Sequence, residues 1–139
     1  MKLKSEMDKV SFESSYFHDD PVKILGHGAH GQVSQCYSKS DETRSFPFAV
    51  KIIRERDEER RMAHRKEFEI TQSLDHINIV KSHKYFFNEL TEDVHIVMDL
   101  VDGKEVLDTI AEQPEGHYTE DDAKFLFRQI IEGIAYLHS

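Results

Sequence analysis

Val22-Lys23-Ile24-Leu25-Gly26-His27-Gly28-Ala29-His30-Gly31-Gln32-Val33, followed after a polar interval by Phe48-Ala49-Val50-Lys51, is the stretch whose reading decides the fold. Its first half is G-x-G-x-x-G-x-V and its second is an apolar run ending in one lysine. Glycine has no Cβ, so a backbone carrying three of them can turn tightly and approach a ligand closely. Successive N–H groups of such a turn can face phosphate oxygens. A lysine on a strand beside the turn would add a fixed positive charge, which together make a plausible triphosphate clamp. A lone G-x-G-x-x-G also fits a bare tight turn, or a dinucleotide-binding strand–turn–helix. Val33, Cys36 and Tyr37 match helical spacing as well, and local periodicity alone does not choose.

Composition narrows the classes. The chain has 139 residues, enough for one domain with a core, and its 38% hydrophobic and 32% charged residues suit a soluble globular protein. A formal net charge of −9 argues against nucleic acid as the main partner, because phosphate backbones select basic faces. No apolar run approaches the roughly 20 residues of a membrane span, and the charged start Met1-Lys2-Leu3-Lys4-Ser5-Glu6 lacks a signal core. Cys36 is the one cysteine, which excludes an intrachain disulfide and a cysteine metal cluster and favours a cytoplasmic, reducing setting. The nine histidines are scattered, with no H-E-x-x-H pair.

Along the chain, residues 1–20 are polar and read as a mobile or loosely docked extension. Strands are expected at 22–25, 32–37 and 48–53, in the segment around 85–87, and at 94–100. Residues 55–75 have helical composition. A short helix is expected at 105–110. Thr119 is a good N-cap, with Glu120, Asp121 and Asp122 in the first turn of a helix running to the chain end. Strands first, one inserted helix, then helices make an α+β fold. On a helical wheel with Ala63 at zero, Glu67 falls at about +40°, Ile70 at about −20° and Leu74 at about +20°, whereas Glu69 lies about −120° away. Glu67 is therefore expected within the core-facing stripe, where a carboxylate needs a partner. Lys51 is the nearest candidate in sequence.

These residues together resemble the N-terminal part of a eukaryotic-type Ser/Thr protein kinase. Gly26 to Val33 matches the kinase Gly-rich loop, Phe48-Ala49-Val50-Lys51 the V-A-I-K strand, and Glu67 the helix glutamate that pairs with that lysine. Leu74-Asp75-His76-Ile77-Asn78-Ile79-Val80 resembles L-x-H-P-N-I-V, Val97-Met98-Asp99-Leu100-Val101 the strand entering the hinge, Gly103-Lys104-Glu105-Val106-Leu107 the G-G-E-L segment, and Tyr118 to Ser139 the long helix ending Y-L-H-S. The last segments lean toward the calcium/calmodulin-dependent kinase group. The resemblance implies a partial kinase domain over 21–139, with an ATP-binding small lobe at 21–101 and the hinge and first large-lobe helices at 102–139. The small lobe is expected as a five-stranded antiparallel sheet with one helix. ATP would lie against Leu25, Gly26, His27, Gly28, Ala29, His30, Gly31, Gln32, Val33, Ala49, Lys51, Met98, Asp99, Val101 and Glu105. Lys51 and Glu67 would be the catalytic-site residues of this stretch, Met98 the gatekeeper, and Glu105 a contact to ribose or to a basic substrate residue. The implied partners are ATP and a protein substrate; the implied cofactor is Mg²⁺.

Two departures stand out: His30 where the loop tip is often aromatic, and Thr71 where an apolar residue usually joins the spine linking the lobes. The sequence also carries no H-R-D, D-F-G or A-P-E, so the catalytic base and the metal ligands are not in this chain. The last helix is apolar nearly all round, as Phe125, Leu126, Phe127, Ile130, Ile131, Ile134, Tyr136 and Leu137 show. Such a helix is normally buried on all sides, so the sequence reads as truncated before a large lobe. The competing reading is a non-catalytic half-kinase that binds nucleotide or a partner. A nicotinamide-dependent dehydrogenase is disfavoured, because a chance glycine match would not bring the other segments in order.

Overall fold

The structure, a computed structural model, describes residues 10–28 and 31–139. Its elements are α1 (Phe12–Ser15), β1 (Tyr16–His18), β2 (Ile24–Gly28), β3 (Gly31–Ser38), β4 (Phe48–Arg54), α2 (Glu58–Ser73), β5 (Ser82–Asn88), β6 (Asp93–Asp99) and α3 (Glu120–Leu137). The described residues form two compact units, one of residues 10–28, 31–73 and 81–100, the other of 74–80 and 101–139.

The first unit is an antiparallel sheet in the order β1-β3-β4-β6-β5, with β2 also on β3. β1 pairs with 36–38 of β3 and β2 with 31–34, so the two short strands share one edge and the six strands fill five positions. The five-stranded expectation holds in that sense. Strands alternate their side chains between faces. Phe48, Val50 and Ile52 of β4 go to one face with Cys36, Phe86 and Val97; Ile53 goes to the other with Val94, Ile96 and Phe68 of α2. Burial pushes the Cys36 thiol up to about 12.

The N-terminal segment departs from expectation. From Phe12 onward it is not a loose extension but part of the core. Phe12 and Tyr16, four residues apart, come from α1 and β1 and cover the Val50 face: Phe12 stacks on His95 at 4.9 Å, and Tyr16 meets Phe48 and Phe86 edge-on at 6.0 Å. A few aromatics carry enough apolar area to dock a segment that is polar on average.

Helix α2 also turns differently from its wheel. Its buried residue is Phe68, with Ala63, Glu67 and Ile70 exposed. Phe68 packs on Tyr85 at 5.7 Å, while the guanidiniums of Arg61 and Arg65 lie over the rings of Phe87 and Tyr85. One large aromatic plus two arginine stems covers more sheet than an alanine–isoleucine stripe. Asp57 starts the helix, its Oδ1 accepting from the Arg60 N–H at 2.9 Å.

In the second unit, Thr119 caps α3 as expected, its Oγ1 accepting from the Asp122 N–H at 3.1 Å. Tyr136 of α3 accepts from the Asp75 N–H at 2.9 Å, and its ring lies on His76 at 5.0 Å. The expected helix at 105–110 is instead a run of turns. The Val106 carbonyl accepts from Thr109 Oγ1 and from the Tyr118 hydroxyl, and side-chain partners of this kind compete with a helical ladder. Among the described residues, no helix is long and apolar enough to cross a membrane.

Candidate functional site

The site is built on the α2 side of the sheet by register alone. Val33 lies opposite Lys51, and Lys51 opposite Ile96. One row over, Gln35 lies opposite Ala49 and Ala49 opposite Met98. Alternation therefore brings Val33, Gln35, Ala49, Lys51 and Met98 to the face that carries Phe68. Ala49 is buried, and Val33, Lys51 and Met98 are half-buried. A small residue flanked by Val33 and Met98 leaves an apolar shelf one row from an ammonium group. His27 and Gln32 pair with each other, and Gln32 lies opposite Ile52 on the other face. They can offer this side only backbone.

The β2–β3 turn closes on the Gly28–Gly31 pair; Ala29 and His30 lie outside the described residues. A Cβ on Gly31 would sit 2.0 Å from the Ile52 carbonyl oxygen, so β4 itself requires glycine there. Among the described residues, a Cβ on Gly26 would meet nothing within 4 Å, and one on Gly28 only the Gly31 carbonyl at 3.8 Å. The protein leaves these two positions open, as a backbone cradle for a bulky anionic ligand needs. Leu25 is exposed beside them.

The expected Lys51–Glu67 partnership is not formed: among the described residues no ion pair joins them, and Glu67 is exposed. The setting of α2 on Phe68 explains it, because Glu67 lies about 100° round the helix from that anchor. Asp99 ends β6 with its N–H on the Lys81 carbonyl at 2.9 Å and its carboxylate 2.5 Å from His83 Nε2. Of its backbone groups only the carbonyl is left to offer a ligand. Val101 and Glu105 are exposed and belong to the second unit. Gln35, whose Nε2 donates to the Tyr37 hydroxyl at 2.7 Å, and Ser82, 2.9 Å from the Thr71 hydroxyl, are not among the expected site residues, and Thr71 stands out in the sequence only as a departure at the spine position. The period of two from Val33 could have found Gln35; nothing local could have found the Thr71–Ser82 contact. Among the described residues, no group of three or more His, Cys, Asp or Glu side chains could hold a metal ion.

The protein kinase domain family model matches residues 20–139. Human myosin light chain kinase 3 is 36% identical over 116 residues, which are 84% of this chain and 13% of that protein. Mouse calcium/calmodulin-dependent protein kinase type IV is 34% identical over 114 residues, 82% of this chain and 22% of that protein. Human myosin light chain kinase family member 4 is 31% identical over 125 residues, 90% of this chain and 31% of that protein. The chain thus spans under a third of the length of each of these relatives.

Proposed function

The chain belongs to the protein kinase domain family, and from that membership we propose that it is the ATP-binding portion of a serine/threonine protein kinase acting inside the cell. What supports this reading most is that Val33, Ala49, Lys51 and Met98 share one face of the sheet beside a turn whose Gly26 and Gly28 have room. Adenine would pack on Val33, Ala49 and Met98 and donate its amine to the Asp99 carbonyl. The N–H groups from Gly26 to Val33 would cover the phosphates. Lys51 would hold the α- and β-phosphates, oriented by Glu67 once α2 turns that carboxylate toward it.

The chemistry is in-line transfer of the γ-phosphoryl group to a Ser or Thr hydroxyl, with this chain contributing alignment and charge stabilisation. Mg²⁺, when bound, supplies further charge neutralisation at the phosphates. A second reading, a nucleotide- or partner-binding module without catalysis, has one observation in its favour: among the described residues, Lys51 and Glu67 form no ion pair with each other.

Thermal unfolding of the full-length natural polypeptide tests the first reading, since a ligand that binds only the folded state raises Tm. Mg-ATP should raise Tm and NAD should not; a larger shift with NAD overturns it. Lys51→Met should abolish transfer of labelled γ-phosphate to a generic protein substrate while leaving circular dichroism unchanged. Wild-type nucleotide binding without transfer would favour the module.

A further inference from the structure

The face of the sheet opposite Lys51 holds an imidazole that the nucleotide reading does not use. His95 of β6 lies between Ile52 of β4 and Phe86 of β5 in register. It is 7% exposed, and its Nδ1 has no partner among the described residues. Phe12 of α1 covers it, the two rings stacked at 15° between planes. The same Phe12 ring meets His18 of β1 at 5.1 Å. The two histidines differ in their polar contacts. His18 is half-buried, with its Nδ1 3.2 Å from the Gln35 carbonyl oxygen and 3.5 Å from Ser34 Oγ.

A neutral His95 can leave Nδ1 as an unused acceptor. Protonated, the ring is a donor at both nitrogens, and Nδ1 would carry an N–H with no acceptor in a sealed apolar site. Burying such a charge is costly. The charged or titratable groups facing it are Glu13 from α1, Asp93 from its own strand and His18 from β1. Its register neighbours on β4 and β5, Ile52 and Phe86, carry no charge. Glu13 is exposed and Asp93 half-exposed, so water screens the two groups that would attract an imidazolium. Burial outweighs them and keeps the ring neutral below its ordinary value.

What covers His95 can leave without unpicking the sheet. β1 is three residues long and lies on an edge, pairing only with 36–38 of β3. β3 keeps β2 and β4 as partners when β1 is gone. Helix α1 is four residues long and has no side-chain cap. Besides these, the segment is tied by the Lys39 N–H, which donates to the Ser15 carbonyl at 2.9 Å. The Phe12 and Tyr16 rings supply the rest of its hold.

We propose that residues 10–18 are a pH-operated strap, closed over neutral His95 and opening when that imidazole takes a proton, while the sheet beneath stays paired. Opening admits water to Nδ1 and uncovers the apolar face of Val50 and Phe86. The open form binds the proton at the ordinary value near 6.5, the closed form only at lower pH. Closure is therefore complete above that value and is lost as pH falls through it. One such group changes the closed-to-open ratio by about tenfold between pH 7.5 and pH 5.5. The strap lies on the face away from Lys51, so the proposal does not depend on what that face binds.

Amide hydrogen exchange on the full-length natural polypeptide tests this, read as protection factors so that the intrinsic pH dependence of exchange is removed. The Tyr16 amide, which donates to the Phe12 carbonyl, and the Lys39 amide report the strap. The Val50 and Val97 amides report the sheet. Strap protection should fall about tenfold from pH 7.5 to pH 5.5, with sheet protection unchanged. His95→Phe keeps a ring against Phe12 and should make strap protection independent of pH. His18→Gln should leave the response in place. The His95 ring, followed by its Cε1–H resonance, should titrate below the ordinary value in the natural protein and move up toward it in Phe12→Ala. Constant strap protection, simultaneous loss of strap and sheet, an undiminished response in His95→Phe or a response abolished by His18→Gln would each overturn the proposal. So would a His95 ring that titrates at the ordinary value beneath the closed strap.

Discussion

At the residue scale, the two carboxylates Glu67 and Glu69 separate the site reading from general surface charge. Both are exposed on α2, and Glu69 is paired with Arg65 at 3.2 Å. Glu67→Gln should strongly impair phosphoryl transfer and Glu69→Gln should leave it near normal, read by γ-phosphate transfer at saturating ATP. Equal effects would remove Glu67 from the site. The glycines divide the same way. Gly31→Ala drives a Cβ into the Ile52 carbonyl and should destabilise by about 2 kcal/mol or more, because backbone cannot yield as a side chain can. Gly26→Ala should fold normally and lose nucleotide affinity. Thermal melts with and without Mg-ATP separate the two. The glycine pattern was legible in the sequence, but its reason was not: one glycine serves the strand packing and two leave space.

At the element scale, the segment 10–18 behaves as a strap across the sheet. Phe12 stacks on His95, whose side chain is buried, with Nδ1 lacking a partner among the described residues. Burial pushes the His95 pKa below its ordinary value. The Glu13 and Asp93 carboxylates oppose that shift and His18 adds to it. A histidine held neutral in the folded state takes up its proton more readily when unfolded. Its contribution is therefore present above the ordinary value near 6.5 and is lost as pH falls. Tm should fall between about pH 7.5 and about pH 5.5, and His95→Phe should flatten that slope. An unchanged slope would assign the effect to other groups. The strap was illegible because averaged composition hides two aromatics, Phe12 and Tyr16, that only a folded sheet can use.

At the scale of the molecule, the second unit leaves much apolar surface open. Phe125, Phe127, Ile130, Ile131, Ile134 and Leu137 of α3 are all roughly half exposed or more. Exposed apolar patches larger than a few hundred Å² usually mean association. Residues 1–139 expressed alone should elute from size-exclusion chromatography as oligomer or aggregate, with a broad melt. They should transfer no phosphate, since no H-R-D or D-F-G segment is present. A monodisperse monomer with a sharp melt would overturn the first expectation. Transfer abolished by Lys51→Met would overturn the second, and would require a base from within these residues.

The sequence by itself determined what is carried by order and local spacing. The glycine turn, the apolar strand ending in Lys51, the Thr119 cap and the segments around them mark the kinase family, because each depends on residues close in the chain. Period-two alternation was enough to set Val33, Ala49, Lys51 and Met98 on common ground once the strands were paired. Only the tertiary structure decided the setting of α2, the docking of Phe12 and Tyr16, and the Thr71–Ser82 contact. A helical wheel ranks faces by hydropathy. The actual setting was chosen by which ring, Phe68, fits Tyr85 and the neighbouring strands, and that competition involves residues far apart in sequence. The register shift of β5 between Ser82 and Lys84 belongs to the pairing of two strands, and no single stretch of chain encodes it.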